Sequence, residues 1–175
     1  MKRLLLNITV VLLSLTLISC GFYLRGRQPI PEELQVLALN SDDPYSNFTQ
    51  ALATALRNRG ITVVEPPTTA PFMLYVFDEE VGEEMGGVSS ADDTRQYMVS
   101  FSVMFQIQDT EGKILVGPRR LSTRRSLVVP ISQLLGATNE QVTYMREMRQ
   151  EMVVSIMSQL TSLGTVRALE RAAAS

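Results

Sequence analysis

An alternation is the clearest pattern in the chain. Tyr97, Val99, Phe101, Val103, Phe105 and Ile107 interleave with Gln96, Ser100, Ser102, Gln106 and Gln108, the period-two signature of a strand with one buried and one wet face. Asp109 to Lys113 then reads as a hairpin turn. Ile114 to Val129 reads as the returning antiparallel strand, interrupted near Gly117 and Pro118 by a bulge or edge irregularity. Upstream, Leu34 to Leu39 predicts a short strand apolar on both faces, and Ile61 to Val64 starts a second. Phe72 to Phe77, apolar on both parities, reads as a buried third. Between the first two strands, Phe48, Leu52, Ala55 and Leu56 recur at helical spacing. Asp43 is placed as N-cap, Pro44 at the first helical position and Gly60 as a left-handed C-terminal cap, so the helix is expected to run to about Arg59. Strand, helix and strand in so short a span predict a right-handed crossover between parallel strands.

Glu65 to Pro71 is a turn-rich connector, and Asp78 to Asp93, acidic and Gly-containing, is expected to be an exposed, mobile loop. Thr138, with Gln141 three residues on, forms a capping-box pattern. It opens a long helix with an apolar stripe of Met145, Met148, Met152, Ile156, Leu160 and Leu163, which Gly164 is expected to end. Residues 165–175, Ala-rich and weakly amphipathic, read as a tail that frays or extends that helix. The expected fold is therefore α+β: a two-layer sandwich of two helices packed on one face of a mixed four-stranded sheet, spanning residues 34–164.

The start of the chain has a different pattern. Lys2 and Arg3 precede an apolar run from Leu4 to Ile18, whereas a membrane-spanning helix needs roughly 20 apolar residues. Residues 1–19 thus read as a cleaved signal peptide. The run ends in Leu17, Ile18, Ser19 and Cys20, which resembles the lipobox of bacterial lipoproteins, where a small residue precedes the cysteine that is acylated. The alternative is an ordinary signal with an incidental cysteine. On the lipobox reading Cys20 carries covalent acyl and diacylglyceryl lipid, and residues 20–33, with Pro29 and Pro31, form the lipidated N-terminus and its tether. Each buried methylene contributes roughly 0.8 kcal/mol, so several chains anchor firmly where one does so only marginally. Gly21 stands where lipoproteins kept in the inner membrane usually carry Asp, and by that analogy this one goes to the outer membrane.

Composition narrows the function. The 45% apolar content supports one ordinary hydrophobic core. Loss of residues 1–19 removes Lys2 and Arg3 from the 16 basic residues, leaving 14 against 18 acidic, a net charge of −4. Neither that total nor any dense cationic tract supports nucleic-acid binding. A single cysteine permits no internal disulfide. The absence of histidine removes the commonest general base and metal ligand. With no G-x-S-x-G, S-x-x-K, Walker A or His/Cys metal spacing, catalytic residues, metal and cofactor are all expected to be none.

Three features are open to two readings. Asp78, Glu79, Glu80, Glu83, Glu84, Asp92 and Asp93 are oxygen donors of the kind Ca²⁺ takes, but their spacing matches no EF-hand, and a solvated hairpin tip is the plainer account. The Met stripe is either core or a soft binding surface. Arg119, Arg120, Arg124 and Arg125 either contact lipid phosphates or a partner, or serve as edge charges that block strand pairing.

The stretch Cys20, Gly21, Phe22, Tyr23, Leu24, Arg25, Gly26 resembles the start of mature proteins of the LptE family, the lipopolysaccharide-assembly lipoproteins of Gram-negative outer membranes. Asp43 and Pro44, the helix to Gly60, the strand from Gln96, and Asn139, Glu140 and Gln141 opening a Met-bearing helix follow in family order. The resemblance implies two helices on a mixed four-stranded sheet and no catalytic activity. It also implies a domain seated as a plug in the lumen of the outer-membrane β-barrel LptD, anchored on the periplasmic side and assisting insertion of lipopolysaccharide into the outer leaflet. The family's proposed basic lipopolysaccharide contacts do not carry over, because Ser89 to Asp93 and Gly136 to Thr138 hold no Lys or Arg. The competing reading is a free-standing periplasmic lipoprotein that binds a small apolar ligand between helices and sheet.

Overall fold

The computed structural model describes residues 30–65, 70–89, 94–130 and 137–174, without the side chains of residues 88, 89, 130 and 137–139. The signal peptide, Cys20 and most of the tether lie outside the described residues. A 3₁₀ turn, Glu32–Leu34, precedes β1 (Val36–Ser41), so Leu34 enters the core from a turn, not from the expected strand. There follow α1 (Asn47–Asn58), β2 (Thr62–Val64), β3 (Phe72–Ser89), β4 (Thr94–Asp109), β5 (Ile114–Pro130), α2 (Ala137–Leu160) and α3 (Leu163–Ala173).

The sheet order is β2-β1-β3-β4-β5. β1 runs parallel to β2 and β3, while β3, β4 and β5 form an antiparallel meander. The sheet is mixed, as expected, but among the described residues it has five strands where four were expected, and three α-helices accompany it where two were expected. Each of the five stretches read as strands pairs, including three-residue β2, whose Thr62, Val63 and Val64 lie beside Val36, Leu37 and Ala38.

Period two decides which side chains meet the helices. Val99, Phe101, Val103, Phe105 and Ile107 are buried on one face of β4, with Leu74 and Val76 of β3 opposite Ile107 and Phe105. Phe48 of α1 packs on Phe101 with ring centroids 5.5 Å apart. Met145, Met148, Met152, Ile156 and Leu160 of α2 complete the same cluster, so the Met stripe is core. Full burial of such side chains contributes roughly 1.5–3 kcal/mol each. In β3 only the parity of Phe72, Leu74 and Val76 is buried. Met73, Tyr75 and Phe77 lie half-buried on the opposite face, contrary to the expectation of a strand buried on both sides.

The helix boundaries differ from those expected, for local reasons. At α1 Asp43 accepts the Tyr45 N–H (3.1 Å) in a turn, and Ser46 is the N-cap, accepting the Thr49 N–H at 3.0 Å. The C-terminal cap is as expected: Gly60 (φ 90°) donates to Arg57 O and Ile61 to Leu56 O, a Schellman pair. α2 already includes Thr138, which therefore lies inside the helix instead of capping it. Gly164 does not end that helix either. Ser162 accepts the Thr165 N–H and starts a new helix, inclined 53° to α2, within which Gly164 lies. Leu163 is 75% exposed and leaves the stripe, while the expected tail forms α3, burying Thr165 and Leu169.

The largest departure is the acidic segment. Residues 78–89 are not a loop but the distal half of β3, paired with β4 from Glu80 opposite Ser102 to Ser89 opposite Thr94. Register shifts after Phe77 and after Met85 kink the strand, and Asp78 takes φ 57° at the first of them. A hairpin ladder supplies its own backbone hydrogen bonds, so this strand forms without an apolar face. The other turn agrees with the sequence: Asp109 Oδ1 accepts the Glu111 and Lys113 N–H groups, and the irregularity near Gly117 (φ 97°) and Pro118 is a break in the β4–β5 register.

Candidate functional site

Along β5 the same alternation sends the four arginines to opposite sides of the sheet. Arg119 and Arg125 pair with Phe105 and Val99, on the helix face. There Arg119 donates to Gln159 Oε1, and Arg125 donates to Glu151 Oε2 at 3.2 Å. Thr123 also donates to that Glu151 oxygen at 3.2 Å, so these contacts tie β5 to α2. Arg120 and Arg124 pair with Met104 and Ser100 and emerge on the face that carries no helix among the described residues. The four cations thus do not form one patch.

That open face has a distinct character. Arg120 forms ion pairs with Asp78 and, at 3.2 Å, with Glu80, and donates to Ser102 Oγ at 3.1 Å. Its side chain remains 46% exposed, so the pairs fix geometry more than they stabilise. Gln96 donates to Ser126 at 2.8 Å. Arg124, one turn of the pleat away, is exposed and has no ion pair among the described residues. Nearer β1 the face turns aromatic: Tyr75 and Phe77 stack with centroids 5.0 Å apart. The Tyr75 hydroxyl donates to Asp42 Oδ1 at 2.5 Å. That bond first, then burial and the Asp42 charge, raises its pKa above 10.

The carboxylates of β3 are likewise divided. Glu80 faces Arg120 on the open side, and Glu83 accepts from Gln141 at the start of α2. No group of three or more His, Cys, Asp or Glu able to hold a metal occurs among the described residues. The open face with Tyr75 and Phe77 was not foreseen. Its signal was the second apolar parity of β3, which also fits a strand covered on both sides.

A mixed sheet with one helical layer among the described residues is a fold already seen in solved lipoproteins. Lipoprotein B of Nitrosomonas europaea superimposes with TM-score 0.69 at 17% identity, over 86% of this chain and 96% of that one. The rare lipoprotein B of Shewanella oneidensis gives 0.62 at 18% identity, over 71% and 92%. In sequence the chain is 24% identical over 163 residues to the LPS-assembly lipoprotein LptE of Photorhabdus laumondii, covering 93% of this chain and 88% of that protein. It is 30% identical over 108 residues to the protein of the same name from Yersinia enterocolitica, covering 61% and 52%. The profile of the family described as LptE, lipopolysaccharide-assembly, matches residues 34–160. The chain belongs to the LptE family, and is a non-enzymatic lipopolysaccharide-assembly lipoprotein of the cell envelope.

Proposed function

We propose that this protein is an outer-membrane lipoprotein that plugs and helps assemble the LptD β-barrel and assists insertion of lipopolysaccharide into the outer leaflet. Covalent lipid on Cys20 would anchor it from the periplasmic side. Family membership over residues 34–160 carries the reading, and the character of the open sheet face supports it. Arg120, Asp78, Glu80, Arg124, Gln96 and Ser126 give β3–β5 a charged, hydrogen-bonding surface. A surface of that kind suits the polar interior of a large outer-membrane barrel better than the lipid around it. The helix–sheet interface, where the competing reading seats an apolar ligand, is filled by Phe48, Phe101, Met148 and Ile156, each 0% exposed.

Within this reading Arg124 is the arginine best placed to meet a phosphate or a lumen carboxylate, followed by Arg125, whose partner Glu151 is itself half exposed. Co-expression with the barrel in mild detergent tests the proposal. A one-to-one complex that survives purification is expected, and Arg124→Glu with Arg125→Glu weakens it or its lipopolysaccharide binding at least tenfold. A monomer released by detergent alone would overturn the plug reading, and unchanged binding by the double variant would remove the arginines from it.

A further inference from the structure

Where the described chain begins, a groove of about 630 Å³ separates the 3₁₀ turn from the bend between α2 and α3. Ile30, Glu32 and Glu33 line one wall, and Leu163, Val166 and Glu170 the other. Two features set it apart from an ordinary surface cleft. Leu163 stands 75% exposed in the first turn of a helix whose Thr165 and Leu169 are buried. Beside it, Glu32, Glu33 and Glu170 line the groove, and its lining residues include no Lys or Arg.

The sequence that leads into this groove has the complementary character. Ile30 forms its lip, and the residues before it are Phe22, Tyr23, Leu24, Arg25, Gly26 and Arg27. These are three apolar or aromatic side chains followed by two guanidiniums. At no more than about 3.3–3.6 Å per residue, extended chain from Ile30 to Phe22 reaches roughly 26–29 Å, enough to cover the groove without a loop.

We propose that residues Phe22–Arg27 dock in this groove of their own chain, with Phe22, Tyr23 and Leu24 against Leu163 and Val166, and Arg25 and Arg27 against Glu32, Glu33 and Glu170. The apolar contacts remove Leu163 from water, and the guanidiniums neutralise the carboxylates. Docking fixes the residue that precedes Phe22 by two positions beside the α2–α3 bend, so the N-terminal end moves with the C-terminal helix and does not swing on a free tether. The guanidinium–carboxylate contacts are exposed, so docking weakens as salt rises.

Limited trypsin digestion of the purified full-length mature lipoprotein, followed by mass spectrometry, tests this through cleavage after Arg25 and Arg27. Cleavage is expected to be at least tenfold faster in the Leu163→Ser, Glu170→Gln variant than in the parent. The Phe22→Ala, Tyr23→Ala variant, which leaves residues 30–174 unaltered, is expected to show the same acceleration. Equal rates in the parent and in this second variant overturn the proposal even if the groove variant unfolds α3. So does protection that disappears on dilution, which would assign the groove to a second copy.

Discussion

Ser46 accepts the Thr49 N–H at 3.0 Å, satisfying one of the amide donors that the first turn of α1 leaves without a helical partner. Ser46→Ala is expected to cost about 1 kcal/mol, and Asp43→Ala measurably less, because its carboxylate serves only the preceding turn. Urea unfolding of the two variants separates them. Tyr75 provides the clearest pH dependence. Its hydroxyl, held neutral by donation to Asp42, has a pKa raised above the ordinary 10. The folded pKa is the higher one, so the stabilisation is complete below pH 10 and is lost as pH rises through the folded value. The stability difference between the parent and Tyr75→Phe should therefore be constant from pH 7 to 9 and shrink above pH 10. A difference that stays flat to pH 11 would show that the hydroxyl does not act through Asp42.

At the level of elements, α3 is the part whose importance exceeds what its composition suggests. Thr165 and Leu169 are buried, and Ala168 and Ala172 pack against the core, a helical i, i+3, i+4, i+7 face written mostly in small residues. Small side chains give a weak apolar signal, so the sequence reads as a fraying tail. Leu169→Ala is expected to destabilise the domain by about 2–5 kcal/mol, measurable by thermal or denaturant unfolding. If the loss stays below 0.5 kcal/mol on the scale of a neutral surface change, α3 is only loosely docked. The distal half of β3 was hidden for the opposite reason. Its carboxylates suggest solvent, but the ladder to β4 needs only backbone groups, and Arg120 meets Asp78 and Glu80 across it. The long alternating strand and the Met stripe were legible because large apolar side chains recur at the correct period over many residues.

At the scale of the whole molecule, the proposed plug reading can be split into a test of the anchor and a test of the folded surface. If the open face of β3–β5 recognises the barrel, a Cys20→Ser chain exported without lipid should still form the one-to-one complex, at a slower rate. Loss of the complex would mean that lipid on Cys20, not the folded surface, brings the partners together. The sequence alone determined the mixed α+β sandwich, its core from Phe48 to Leu160, and the family, because these depend on periodicity and on ordered motifs. It also placed the Gly60 cap and the Asp109 turn, where local chemistry is decisive. Only the tertiary structure decided that residues 78–89 of the acidic segment are a strand, that Ser162 starts a third helix among the described residues, and that β5 divides its arginines between two faces. Those outcomes depend on which strand lies alongside and at what register, and a one-residue shift in register exchanges one face of a sheet for the other.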